Sequence, residues 1–299
     1  MKRVILLAFI CCSCGKYGNF TLPPPDAAGP KGPFHWEASP EPVLTRGDAS
    51  DVLNPSVVRY RGEYLNYYSS YDGHTWSTDL AASSDGIHWT KRERVLSPDA
   101  GNGSALVRGD RVLYWYQTGS PVEIALAKSI VLKTGPRGSW DELGVADPYV
   151  IGRNGELYMY YLGMDRARRQ RLGVARSLDG VVWEKLISNP IMELGAPGAF
   201  DEVGLGEPAV WSSGGSYWML YTGRAWAEKR RIGLAKSPDG ISWTRQDLVI
   251  EGTSDWDREV VCDPTVEVLP DGVRVWFGGG DVARPDQGLH GQIGVGMLR

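Results

Sequence analysis

One short pattern returns along this chain and constrains what it can fold into more than any other feature. "AASSDGIHW" ends at Trp89, "ARSLDGVVW" at Trp183 and "AKSPDGISW" at Trp243. A shorter copy, "ALAKS", ends at Ser129. The alanine of each A-x-S stands at Ala81, Ala127, Ala175 and Ala235, in steps of 46, 48 and 60 residues. A further 61 residues lead to Gly296 in "IGVGM", the same pattern with its alanine replaced. A period of this length marks an array of supersecondary units.

Each copy is preceded by two β-rich runs joined by a glycine-containing turn, as in "NPSVVRYRGEYLNYYSS", "DPYVIGRNGELYMYYLG" and "EPAVWSSGGSYWMLYTG". Such a pair reads as a hairpin. The A-x-S segment follows as a third strand, and the D-G step turns into a fourth that carries the tryptophan. Four antiparallel strands per repeat, five times over, make an all-β, five-bladed β-propeller. The last repeat stops at Arg299 without a fourth strand, while "FHWEASPEPVL", Phe34 to Leu44, precedes the first. The N-terminal strand is therefore expected to close the last blade and remove its exposed edge. The fourth strand of the second blade, near Ile130, is the hardest to place.

The start of the chain differs. Lys2 and Arg3 precede an apolar run from Val4 to Ile10, then "CCSCG". This reads as a signal segment over residues 1–13, too short to span a bilayer. Ser13-Cys14-Gly15 resembles a bacterial lipobox, which makes Cys14 the expected lipidation site, although Cys11 sits where leucine is usual. Residues 14–33 then read as a lipid-bearing cysteine and a Pro/Gly tether, and 34–299 as the propeller. The expected location is the cell envelope, as a periplasmic or outer-membrane-associated lipoprotein, or outside the cell. Cys262 alone lies in the body of the chain, so no internal disulfide is expected. A formal net charge of −4 gives no reason to expect nucleic acid. No metal and no cofactor are assigned, and a monomer is expected.

Strand order also separates two faces. Successive strands reverse, so the starts of the innermost strands and the second-to-third-strand loops share one face. The D-G turns at Asp85, Asp179 and Asp239 lie on the other, where aspartate before glycine is a turn device. The inner strands open with Asn54-Pro55, Asn102-Gly103, Asp147-Pro148, Glu207-Pro208 and Asp263-Pro264. Three are reached through "WDELGVADP", "FDEVGLGEP" and "WDREVVCDP". Asp147, Glu207 and Asp263 should thus converge on the axis, where neighbouring carboxylates tend to have raised pKa values. The same face should carry Arg168 and its basic loop in "GMDRARRQRLG", Arg224, Trp226 and Arg230 in "GRAWAEKRRIG", and also Trp76 and His290. These are candidate sugar- or anion-binding residues.

On the motifs quoted above, residues 34–299 resemble the five-bladed propeller glycosidases of families 43, 32, 68 and 130. In family 43 an early D-P aspartate is the base, a second tunes, and a glutamate about 60 residues later is the general acid. The resemblance implies that Asp147 is the tuning carboxylate and Glu207 the acid. Asn54 stands where the base would be, and an amide cannot take a proton from water. Asp51, three residues upstream, or Asp263 could replace it. Alternatively phosphate attacks, as in family 130, whose first motif is also Asn-Pro. The expected function is action on an oligo- or polysaccharide by a glycoside hydrolase-like envelope protein. The alternatives are a catalytically decayed carbohydrate-binding propeller, a family-130-like phosphorylase, and a purely structural envelope protein.

Overall fold

A computed structural model describes residues 16–299, which are strands and connecting turns throughout. The expectations for residues 1–13 and for Cys14 lie outside the described residues. Among the described residues, no helix is long and apolar enough to cross a membrane.

The strands form five blades. Blade one comprises Asp51–Tyr60, Glu63–Tyr71, Trp76–Ser83 and Thr90–Leu96. Blade two comprises Gly101–Arg108, Arg111–Thr118, Glu123–Leu126 and Ser129–Leu132. Blade three comprises Gly144–Arg153, Glu156–Met164, Gln170–Ser177 and Glu184–Leu186. Blade four comprises Gly204–Ser213, Ser216–Arg224, Arg230–Ser237 and Thr244–Ile250. Blade five takes Val260–Leu269, Gly272–Gly280 and Gln292–Leu298 from the C-terminal end and Trp36–Ala38 from the N-terminal end. Trp36 pairs with Leu298 and Ala38 with Gly296, antiparallel, so the ring closes as the two sequence deficits require.

The repeated S-x-D-G-x-x-W turns hold neighbouring blades together on the lower face. In blade three, Asp179 Oδ1 accepts the N–H groups of Val181 (2.8 Å) and Val182 (2.9 Å), and Ser177 Oγ accepts that of Gly180 (2.8 Å). This leaves the Gly180 carbonyl free to accept Trp183 Nε1 (3.0 Å) from its own blade and Trp115 Nε1 (2.9 Å) from blade two. Gly240 accepts Tyr160 of blade three (2.9 Å), and Gly86 accepts Trp276 of blade five (2.7 Å). Gly180 has φ +83, and a Cβ there would lie 2.8 Å from the Trp115 ring, so both backbone and space demand glycine.

Two expectations are corrected. Ala127 is not in a strand. Glu123–Leu126 ends one residue earlier, and Ala127 (φ 49) and Lys128 (φ 68) form the hairpin turn into Ser129–Leu132. Two successive left-handed residues are what a two-residue hairpin with native twist requires. The second correction concerns residues 16–33, which are not a free tether. Lys16–Gly18 adds a parallel strand outside Glu184–Leu186, with Lys16 opposite Glu184. Phe20 and Leu22 are buried in the core between blades three and four. The carbonyl of Pro23 accepts the Tyr217 hydroxyl (2.7 Å), and that of Pro30 accepts the Ser213 hydroxyl (2.7 Å). The apolar side chains amid the prolines find a groove across the lower ends of blades three to five.

Candidate functional site

The inner strands create the site by a distortion that occurs five times. Asn54, Asn102, Asp147, Glu207 and Asp263 have φ of 52, 44, 49, 51 and 54. At each, the pairing between first and second strand slips: between Leu53 and Ser56, Gly101 and Ser104, Ala146 and Tyr149, Gly206 and Ala209, and Cys262 and Thr265. A bulge re-aims a side chain that a regular strand would point into the blade. Asn and Asp tolerate the left-handed region better than Glu, and such backbone costs of order 1–3 kcal/mol per residue. All five residues line one pocket on the axis of the upper face.

The bulges turn backbone N–H groups towards the neighbouring blade, and the second strand of that blade supplies the acceptor where it can. Asn102 N donates to Ser69 Oγ (2.8 Å), Asp147 N to Gln117 Oε1 (3.3 Å) and Asp263 N to Thr222 Oγ1 (3.1 Å). The equivalent positions in blades three and five are Leu162 and Gly278, which have no side-chain acceptor. There the site carboxylates take over. Glu207 N–H donates to the Asp147 carboxylate, and Asn54 N donates to Asp263 Oδ2 (3.1 Å). Asp263 N also donates to Glu207 Oε2 (3.1 Å), and Asn102 Nδ2 to Asp147 Oδ1 (3.1 Å). Gly278 makes room for this arrangement, since a Cβ there would lie 2.8 Å from Asp263 Oδ2.

Burial and like charge set the protonation of these groups. Asp147 is pushed up to about 7, first by burial and then by the charge of Glu207, against the hydrogen bond from Asn102. Asp263 is pushed well above the usual carboxylate range, again first by burial and then by Glu207. The Glu207 and Asp263 carboxylates and Cys262 Sγ present atoms within 4.8 Å of one another. A raised Asp263 favours its protonated form beside the Glu207 carboxylate. Asp263 Oδ1 is buried with no hydrogen-bond partner, while Oδ2 also accepts the Cys262 thiol (3.1 Å). Glu207 is the most accessible of the three carboxyl residues. Ionising Asp147 works against the fold. Its folded pKa lies above its ordinary 3.8, so the stability it allows is full below that value and lost as pH rises through about 7.

Arg230 is a cation whose charge is felt by this cluster without a direct ion pair to it. Burial works against its charge, but Cys262, Glu207, Asp263 and Asp286 outweigh burial and raise its pKa. Its Nη2 donates to the carbonyls of Arg284 (3.4 Å) and Pro285. Glu207, Cys262 and Asp263 would be the donor set for a metal ion, but a guanidinium coupled to the same groups opposes a cation there. No metal is therefore assigned to the trio.

The structure does not bring the other candidates to the axis. Asp51 is fully buried, and its two oxygens accept Gly288 N (2.6 Å) and Gly291 N (2.9 Å), so it holds a loop and is corrected as a candidate base. Trp76 packs against Tyr71 and the apolar cluster of Leu53, Val260, Cys262 and Leu289. His290 pairs with Asp281 (2.8 Å). Trp226 is 79% exposed on the upper rim. The basic loops are largely neutralised: Arg166 meets Glu142, Arg169 and Arg171 meet Asp165, and Arg224 lies 3.6 Å from Glu228. Arg168 is exposed and has no ion pair among the described residues. Asn102 was missed as a site residue, although its place at the start of an inner strand made it visible. Ser69, Gln117 and Thr222 carry no such signal, because strand-end polar residues are common.

Comparisons with known proteins agree with this architecture. Residues 54–262 match the glycosyl hydrolases family 32 N-terminal domain. Over 158 residues the chain is 32% identical to an uncharacterised protein of Mycobacterium tuberculosis strain CDC 1551 / Oshkosh, a match covering 49% of this chain and 52% of that protein. The chain thus spans about half the length of the curated relatives it matches. Among solved structures, BT0996 in its RGII complex superposes with a TM-score of 0.70 at 17% identity, over 89% of this chain and 92% of that one. The β-1,2-mannobiose phosphorylase of Listeria innocua superposes with a TM-score of 0.69 at 13% identity, over 90% and 97%. At these identities the structural likeness speaks for the five-bladed fold. The family match spans well over half of the chain and contains its first four axial residues, so the chain belongs to the family of the glycosyl hydrolases family 32 N-terminal domain.

Proposed function

We propose that this protein acts on a glycan at the axial pocket, as a glycoside hydrolase-like enzyme. The observation that carries the reading is the meeting of Asp147, Glu207 and Asp263 in one pocket whose backbone is strained to point them there, within the electrostatic reach of Arg230. In this reading the proton held on Asp263 is passed to the leaving oxygen through Glu207, the accessible member, and the water that adds to the anomeric carbon returns its proton to the same pair. Asp147 supplies negative charge opposite the developing oxocarbenium-like centre when ionised. Arg230 orients hydroxyl or acidic groups of the sugar and keeps the cluster from accumulating charge. The Glu207–Asp263 pair is closer than the roughly 6.5–9.5 Å separation that admits a water between an inverting acid and base. Asp263 is therefore assigned to holding the proton rather than to activating water.

A second reading is supported by Asn54. Both blades one and two present amides at the axis, and Asn54 stands where the resembling enzymes have a base. A propeller that binds a glycan without cleaving it fits that replacement. The test is a glycan-binding and hydrolysis screen on the purified protein, with Glu207→Gln alongside. Enzymatic action predicts hydrolysis that falls by about 10²–10⁴-fold in the variant, the usual range for general acid–base assistance. Hydrolysis of an unactivated substrate that survives Glu207→Gln contradicts the assignment. Binding without hydrolysis, with activity created by Asn54→Asp, supports the binding reading.

A further inference from the structure

The exposed apolar side chains are unevenly placed. Leu178, Val181 and Val182, in the lower turn of blade three, are 70%, 51% and 49% exposed. Ile187, at the end of the adjoining outer strand, is 63% exposed, and Tyr17 on the added edge strand 39%. Arg108 of blade two reaches the same turn, its Nη2 donating to the Leu178 carbonyl (2.8 Å). Exposed apolar side chains gathered at one corner mark contact with a partner or a membrane.

The chain reaches the propeller at the same corner. Glu184 is the first residue of its strand after the lower turn, and Lys16 pairs with it. Cys14 is two residues before Lys16, a reach of at most about 7 Å. Residues 16–33, expected as a tether, are built into the propeller and provide no slack. A lipid on Cys14 would thus hold the lower corner of blade three directly at the bilayer.

We propose that the lower surface formed by Leu178, Val181 and Val182, with Tyr17 and Ile187 along the edge strands that rise from it, docks on the lipid bilayer, so that the axial pocket opens away from it. The proposal rests on the lipid-anchor reading of Cys14. The pocket then faces glycans outside the membrane plane, whereas a substrate embedded in that membrane would meet the wrong face.

The test uses the full chain purified from bacterial membranes and placed in phosphatidylethanolamine–phosphatidylglycerol vesicles that contain brominated lipid. A fluorescent non-natural side chain replaces Val181 in one sample and Trp226, on the upper rim, in another. Both sites are exposed, so neither replacement disturbs the core. Insertion to the depth of an interfacial apolar surface predicts at least about fivefold more quenching at 181 than at 226. Equal quenching at the two positions, or none at 181, overturns the proposal. A change at 181 that depends on protein concentration without lipid would show a second copy of the chain on this surface, and overturns it as well. The intact mass of the same sample separately shows whether Cys14 carries lipid, so failure of the anchor and failure of the docking surface are distinguishable.

Discussion

The two faces of this propeller use aspartate before a turn residue in opposite ways. On the lower face, Asp85, Asp179 and Asp239 sit at D-G steps and accept two backbone N–H groups each. The N–H groups of Val182 and Val181 hold Asp179 below the usual carboxylate range, and the hydrogen bond from His88 does so first for Asp85. On the upper face, Asp147 and Asp263 are buried beside another carboxylate and are raised. Each lower turn completes its backbone hydrogen bonds and latches a neighbouring blade. The upper ends bear five left-handed residues and an unpartnered carboxylate oxygen. Strain and desolvation that do nothing for the fold are where chemistry is to be sought.

Substitutions that separate the faces should separate activity from stability. The largest expected effect is on rate. Asp147→Asn should lower glycan turnover by about 10²–10⁴-fold and abolish the rise in rate with pH through about 7, where Asp147 ionises. Asp179→Asn should leave turnover nearly unchanged. pH–rate profiles of both variants on one substrate check this; an intact rising limb in Asp147→Asn would remove that residue from the mechanism.

A smaller effect, on stability, belongs to the lower face. Gly180→Ala forces a Cβ into a left-handed position and to 2.8 Å from the Trp115 ring. The cost should be roughly 1–3 kcal/mol from overpacking and backbone strain, read as an earlier denaturant midpoint with an unchanged slope. Because the axial pocket is on the opposite face, folded Gly180→Ala should keep the affinity of the parent protein for any glycan. Loss of affinity at full folding would show that the faces are mechanically coupled.

Much of the fold was legible because each repeat carries its own local signals. The D-G turns need glycine at a positive φ, the hairpins need alternating β-formers, and closure follows from counting strands at the two ends. Ala127 and Lys128 misled because alanine and lysine carry no turn signal, so their left-handed hairpin resembled a continued A-x-S strand. Residues 16–33 misled because proline and glycine hid Phe20 and Leu22, whose burial only the neighbouring blades explain.

The site was legible in part. The shared linker spacing pointed to Asp147, Glu207 and Asp263 together, since equal spacing on equivalent strands places side chains around one axis. What decides their chemistry comes from the next blade. Leu162 and Gly278 deny acceptors to Glu207 N–H and Asn54 N–H, and the carboxylates replace them. Asp51 resembled a base by proximity in sequence, but its oxygens are committed to Gly288 and Gly291. The basic loops resembled an anion site until Glu142, Asp165 and Glu228 were found among them, leaving Arg230 as the cation whose charge reaches the carboxylates.

The axial carboxyls are held in an environment unlike that of the structural aspartates. Carboxyl carbon-13 titration by NMR tests it most directly, with Asp147, Asp85, Asp179 and Asp239 assigned by single Asp→Asn substitutions. Asp147 is expected to titrate near 7, and the three turn aspartates below their ordinary 3.8. Titration of Asp147 near 3.8, together with the turn aspartates, would contradict it.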